Sequence, residues 1–189
     1  MQMTIQTDKK PQLLLHCCCA PCASYVLEYL SPKFAITIYY YNPNIKPYEE
    51  YEHRLAEMRK LIVLRAPLDT LEIIIPEYEP GRFDEIATPY ITEPEGGARC
   101  KECFALRLGA TSKYAKEQGF EYFTTTLSVS PHKNAKQLSE VGNALAQECG
   151  IKYLDADFKK HDGYKRSIEL SKQYGLYRQQ YCGCLPRKE

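Results

Sequence analysis

The chain has 189 residues, 44% of them apolar, and a formal net charge of +1, which suits one globular domain with a substantial core. Its longest apolar runs, LEIII and FAITIYYY, fall far short of the roughly 20 residues that a membrane-spanning helix needs. The first twelve residues, MQMTIQTDKKPQ, carry no apolar signal segment behind their charges, so the expectation is a cytoplasmic protein. Nine cysteines in a reducing compartment argue against a disulfide framework, and the odd count argues further against it. The near-neutral charge decides nothing about nucleic acid, since an enzyme needs only a local basic patch.

In chain order, QLLLHC (12–17) reads as a short buried strand and PCASYVLEYLSP (21–32) as a helix with Pro21 suited to its first turn. FAITIYYYNP (34–43) is a β-branched and aromatic strand stopped at Asn-Pro, which completes a βαβ unit. PYEEYEHRLAEMRKLI (47–62) follows as a charged helix, LEIIIP (71–76) as a buried strand, and residues 100–120 as an amphipathic helix stopped at Gly119. A fourth strand (122–127) leads into the polar turn of TTTLSVSPHKN, then come a helix (135–150) closed by Gly150 and a fifth strand (151–158). GYKRSIELSKQYGLYRQQYCGC reads as one or two C-terminal helices. Strands alternating with helices imply a doubly wound, mostly parallel sheet of Rossmann-like type in one domain, with residues 1–11 flexible and 12–185 folded.

The site is expected at the carboxyl ends of the strands. Cys17 to Cys22 fill the turn after the first strand, where nucleotide-binding relatives of this architecture keep phosphate-cradling glycines. No Gly-x-Gly-x-x-Gly or Walker-type loop is present, so a nucleotide cofactor, and with it a tRNA-thiolating ATPase of similar fold, is disfavoured.

The thiols fall into three groups: Cys17, Cys18, Cys19 and Cys22; Cys100 and Cys103; Cys182 and Cys184. Cys149 stands alone in the last turn of a helix and reads as an ordinary small core residue. Two Cys-x-x-Cys pairs suit structural zinc. Three features favour redox chemistry over it: the sheet is large enough to fold without metal, the cysteines outnumber four zinc ligands, and thiols at helix N-termini are expected to ionise readily. An iron–sulfur cluster takes thiolates from several segments. Cys182-Gly-Cys184 would close a very small ring on oxidation, the profile of a labile redox pair, with two further metal ligands as the alternative.

The motifs LLHCCCAPC, YYYNPNIKPYEEYEHR, GARCKECFALRL, TTTLSVSPHKN and DADFKKHDGYKRSIELSKQYGLYRQQYCGC, spanning about residues 12–185, resemble the QueH-type epoxyqueuosine reductases. The resemblance implies an adenine-nucleotide-hydrolase-like α/β core and reduction of the epoxide of epoxyqueuosine in tRNA to queuosine. It implies a [4Fe–4S] cluster held by Cys18, Cys19, Cys100 and Cys103, and an additional iron for which Cys22 and Asp157 are the nearest matching ligands. Asp155, two residues away on the same face of a strand, competes with Asp157. Cys17 occupies a variable slot, and Cys182 and Cys184 correspond to a redox-active disulfide. Implied partners are the tRNA anticodon stem-loop and an external electron donor; nothing resembles a cobalamin-binding module.

Two electrons and two protons are consumed when an epoxide becomes an alkene and water, and His16 and Tyr181 are conceivable proton donors. Lys159, Lys160, Lys165, Arg166 and Arg178 interleave with Tyr164, Tyr174 and Tyr177, a pattern that suits a phosphate backbone and a splayed base as well as it suits a solvated helix face. Sixteen tyrosines against six phenylalanines and no tryptophan supply stacking faces that also carry hydroxyls. The competing reading from another class is a zinc-stabilised tRNA-binding protein without redox activity.

Overall fold

A computed structural model describes residues 10–184, so the expectation about the N-terminal arm falls outside the described residues at 1–9. Five parallel strands, β1 (Gln12–His16), β2 (Ala35–Tyr39), β3 (Glu72–Ile74), β4 (Tyr122–Thr125) and β5 (Lys152–Tyr153), stand in the order β3-β2-β1-β4-β5. Chain order reverses direction between β1 and β4, the topological switch point of a doubly wound sheet. Six helices alternate with the strands: α1 (Ala20–Leu30), α2 (Tyr48–Arg65), α3 (Pro80–Ala87), α4 (Ala98–Glu117), α5 (Ala135–Cys149) and α6 (Gly163–Gln173).

The period-2 alternation of the central strands sorts side chains between two layers. Leu13, Leu15, Ile36 and Ile38 meet Leu27 of α1, Met58 of α2 and Leu170 of α6. Leu14, Tyr39 and Phe123 point the other way, into a cluster with Ala115 of α4 and Ala146 of α5. Leu13, Leu14 and Leu15 are fully buried, each worth about 1.5–3 kcal/mol of transfer free energy.

Several boundaries differ from the sequence-based expectation. β4 stops at Thr125, whose Oγ1 accepts from the Leu127 N–H (3.1 Å) and starts a 3₁₀ turn over Thr126–Val129. β5 pairs over two residues only, after which the chain runs beneath the Ser128 turn, with Ser128 Oγ donating to the Ala156 carbonyl. α4 begins at Ala98, so Cys100 and Cys103 lie in its first two turns. No element is expected over residues 77–99, yet α3 and a 3₁₀ turn at Thr88–Tyr90 lie there. One C-terminal helix forms, not two: Gly175 (φ +58°) takes the chain out of α6, and residues 174–184 continue without regular structure.

Candidate functional site

A cavity of about 530 Å³ opens where β1 and β4 end. Cys18, Cys19 and Cys22 line it from the β1 side, Leu127 and residues 130–133 from the β4 side, and residues 178–182 of the C-terminal segment close it. This is the crevice that the switch point predicts. Cys17 and Cys18 lie in the turn, Cys19 is the N-cap residue of α1, and Cys22 already belongs to the helix, so the turn is shorter than the span 17–22.

The tail is tied down by α2. Arg54 donates from Nη1 to the Cys182 carbonyl (3.0 Å) and from Nη2 to the Tyr181 carbonyl (3.2 Å), while its Nε holds Glu50 (2.6 Å). The Lys46 N–H donates to the Gly183 carbonyl (2.9 Å). Gly183 has φ +96°, and a Cβ there would stand 3.3 Å from Arg54 Nη2 and from Ile45, so glycine is what this close approach needs.

The three cysteine groups converge. Cys18 Sγ lies 3.9 Å from Cys19 Sγ, and Cys18 packs against the cluster of Cys100, Phe104 and Leu127. Cys103 packs with Phe83 and Ala87, and Cys184 joins them from the tail. Cys182 lines the cavity. Asn42, in the loop after β2, couples the first two groups: its Nδ2 donates to the Cys17 carbonyl (2.8 Å) and its Oδ1 accepts from Arg107 Nη2 (2.7 Å), whose Nη1 reaches Cys103 Sγ at 3.8 Å. Cys17 is fully buried in the main core, while Cys149, at the end of α5 and 3.5 Å from Ser112 Oγ, is only half-buried and joins none of the core clusters, so it is not the core residue expected from its helix position; neither lines the cavity.

Among the described residues no three His, Cys, Asp or Glu side chains converge as a metal-binding group, and all nine cysteines are free thiols. The donor set still fits a metal–thiolate centre on grounds of charge. Arg54, Arg107 and Lys133 border the cavity at 2%, 1% and 8% exposure. Glu50 answers Arg54 and Glu95 answers Lys133, but the hydrogen bonds of Arg107 go to an amide and a thiol. Buried cations need anionic partners. Sulfur in thiolate form is what these contacts offer.

The thiols' own chemistry qualifies the helix-dipole expectation. The Cys19 hydrogen bond and burial push the Cys18 thiol well up, and burial pushes up Cys103. Cys19 rises to about 12: its bond from Cys18 pulls it down, but Cys22 and burial outweigh that pull. Neighbouring thiols and burial therefore outweigh the dipole at Cys18 and Cys19, and a bound metal ion would favour the thiolate form there. Cys182 alone among these thiols is held well below the ordinary range, by a hydrogen bond from Cys184 and by the charges of Lys133 and Arg107 acting against burial. The same bond pushes Cys184 up.

The carboxylates separate. Asp155 accepts from Asn143 Nδ2 (2.9 Å) and from Ser139 Oγ, which turns it onto α5. Asp157 pairs with Lys159 (3.3 Å), whose Nζ also donates to the Ser128 and Lys133 carbonyls, and so stays at the β4 wall without lining the cavity. His16 is fully buried between Thr125 Oγ1 (2.9 Å) and the Tyr41 carbonyl (3.2 Å) and does not reach the cavity, whereas Tyr181 lines it under Arg54.

The basic–aromatic stretch is only partly available. Arg166 is held by Glu28 and Glu169, and Arg178 donates to the Ser167 carbonyl and Ser171 Oγ while lying over the Tyr164 ring. Tyr164 itself is 37% exposed at the cavity wall, and Lys160 and Lys165 are exposed beside it. Arg54, Arg107, Lys133 and Gln179 are site residues that the cysteine motifs do not announce. Gln179 bonds Cys19 through its side chain and keeps a buried Oε1 without a partner.

The sequence profile of the family described as "Epoxyqueuosine reductase QueH" matches residues 13–188. The chain is 42% identical over 179 residues to the Epoxyqueuosine reductase QueH of Streptococcus pyogenes serotype M1, covering 93% of this chain and 70% of the relative. It is 43% identical over 182 residues to that of Staphylococcus epidermidis, covering 94% and 76%, and 34% identical over 179 residues to that of Thermotoga maritima, covering 92% and 88%. All three relatives carry the name of a reductase, which speaks against the non-redox zinc reading.

Proposed function

The chain belongs to the epoxyqueuosine reductase QueH family, and from that premise we propose that it deoxygenates epoxyqueuosine in tRNA at the thiol-lined cavity, without cobalamin. The observation that carries the reading is the convergence of the cysteine groups around buried cations, of which Arg107 bonds an amide and a thiol in place of a carboxylate. Cys18, Cys19, Cys100 and Cys103 would hold a [4Fe–4S] cluster, and Cys22 with Asp157 a further iron. Of the two aspartates, Asp157 is favoured because its Lys159 partner ties it to the cavity wall while Asp155 is committed to α5. When bound, these groups supply single electrons and a Lewis acid for the epoxide oxygen.

The chain's own residues do the rest. Arg107 and Lys133 set positive charge against the thiolates and against the oxygen that leaves as oxide. Tyr181 keeps its proton, because burial and Glu50 raise its hydroxyl, and it stands on the cavity wall where a departing oxide could take that proton. Tyr164 offers a stacking face at the mouth for a base turned out of an anticodon loop, with Lys160 and Lys165 toward its phosphates. Cys182 and Cys184 form the redox-active pair that an external electron donor keeps reduced.

Anaerobic purification tests the metal reading. The protein is expected to be brown, with visible absorbance that bleaches on reduction and stoichiometric iron and sulfide. A colourless protein holding stoichiometric zinc would overturn it.

A further inference from the structure

Lys133 belongs to none of the cysteine motifs, yet it is the group that faces Cys182. Its Nζ lies 3.2 Å from Cys182 Sγ and 2.7 Å from Glu95 Oε1, at 8% exposure. The loop that carries it cannot swing away freely, because Lys159 Nζ donates to the carbonyls of Ser128 (3.1 Å) and Lys133 (3.2 Å). Cys182 is fixed from the opposite side: its own carbonyl and those of Tyr181 and Gly183 all accept hydrogen bonds from Arg54 or the Lys46 N–H. Cys184 is placed differently. It packs against Phe83, Ala87 and Cys103 and does not line the cavity.

We propose that Lys133 is a positioning residue that makes Cys182 the reactive sulfur of the pair, the one that exchanges with external thiols, with Cys184 as the inner partner. The inference rests on the reading of Cys182 and Cys184 as the redox pair. An ammonium at hydrogen-bond distance stabilises a thiolate, which is the nucleophilic form of sulfur. The other groups facing Cys182 act in concert or in opposition: Arg107 adds positive charge, Cys184 donates a hydrogen bond, and Cys103 and burial oppose ionisation. When the pair gives up two electrons, the Cys182 thiolate and the Cys184 thiol form one S–S bond and release one proton. Those electrons, with that proton and one from solvent, match what conversion of an epoxide to an alkene and water consumes, and an external dithiol restores the pair by exchange.

Iodoacetamide alkylation of the anaerobically purified, reduced protein, mapped by mass spectrometry across pH, tests the inference. Cys182 should react before Cys184, with an inflection well below that of an ordinary thiol. In Lys133→Met the Cys182 rate at neutral pH should fall about tenfold: a thiol of ordinary pKa is about 3% ionised there, and the greater nucleophilicity of the more basic thiolate offsets part of that loss. Lys133→Arg should restore most of the rate. A folded, coloured Lys133→Met protein with an unchanged Cys182 profile would overturn the proposal. Should that variant not fold, the unsubstituted protein decides, since Cys184 reacting first, or Cys182 titrating as an ordinary thiol, refutes it equally. The underlying reading fails separately: full turnover by Cys184→Ser removes the redox pair but leaves the effect of Lys133 on Cys182 measurable.

Discussion

Replacement of Arg107 by Met probes the charge state of the sulfur cluster directly. The guanidinium is 1% exposed, bonds Asn42 Oδ1 at 2.7 Å and Cys103 Sγ at 3.8 Å, and has a buried Nε without a partner. Against neutral thiols it is a buried cation short of counter-charge, so methionine relieves desolvation worth about 1–4 kcal/mol and loses a charged hydrogen bond worth about 1.5–3 kcal/mol. The two nearly cancel. Against metal-bound thiolates the same change strips a counter-charge from buried anions, at a cost of about 3–5 kcal/mol. Anaerobic urea unfolding of the metal-loaded and chelator-stripped proteins, with iron and sulfide assays, separates the cases. Loaded Arg107→Met should be about 3 kcal/mol or more less stable than loaded wild type, or fail to retain iron, while the stripped forms should differ by no more than about 1 kcal/mol. A loaded variant with full iron and wild-type stability would refute the reasoning.

Cys103→Ser should lose iron, sulfide and colour together with activity, whereas Cys184→Ser should keep the visible absorbance and lose turnover; equal loss of the cluster in both would make the C-terminal cysteines ligands. Tyr164→Ala should weaken binding of an anticodon stem-loop by about 1–3 kcal/mol, the worth of one stacked base, read as a raised KM with kcat nearly unchanged; an unchanged KM would take the stacking role from this ring. Gly163→Ala places a Cβ 1.9 Å from the Phe158 carbonyl oxygen and 2.4 Å from the Tyr25 ring, in the turn that seats α6 on α1. It should lower stability by about 2–3 kcal/mol in denaturant titration, and a wild-type midpoint would mean that the turn relaxes.

The parallel sheet was legible because LLLHC and AITIY are apolar runs too short for helices, set between helical periods. The lengths of β4 and β5 were not. Thr125 ends the one by bonding its own turn, and the other is an edge strand whose apolar continuation packs beneath Ser128 instead of pairing. α3 hid because it is eight residues long with only Phe83 and Ala87 buried, too few to show a period. The C-terminal residues carry helical composition, but Glu50, Glu57 and Arg54 of α2 hold them in an open path that no local preference dictates. The cysteines were found by spacing. Their cations were not, since Arg54, Arg107 and Lys133 come from α2, α4 and the loop before α5 and meet only in the folded chain.

The most direct measurement is turnover on a defined RNA. Protein carrying full iron and sulfide, a chemical reductant and an anticodon stem-loop bearing epoxyqueuosine are combined anaerobically without cobalamin, and the nucleosides are resolved by mass spectrometry. Queuosine should accumulate with loss of one oxygen per epoxide consumed, and Cys100→Ser should abolish it. No conversion by the fully loaded protein, or conversion only when cobalamin is added, would contradict epoxide reduction at this thiol-lined cavity.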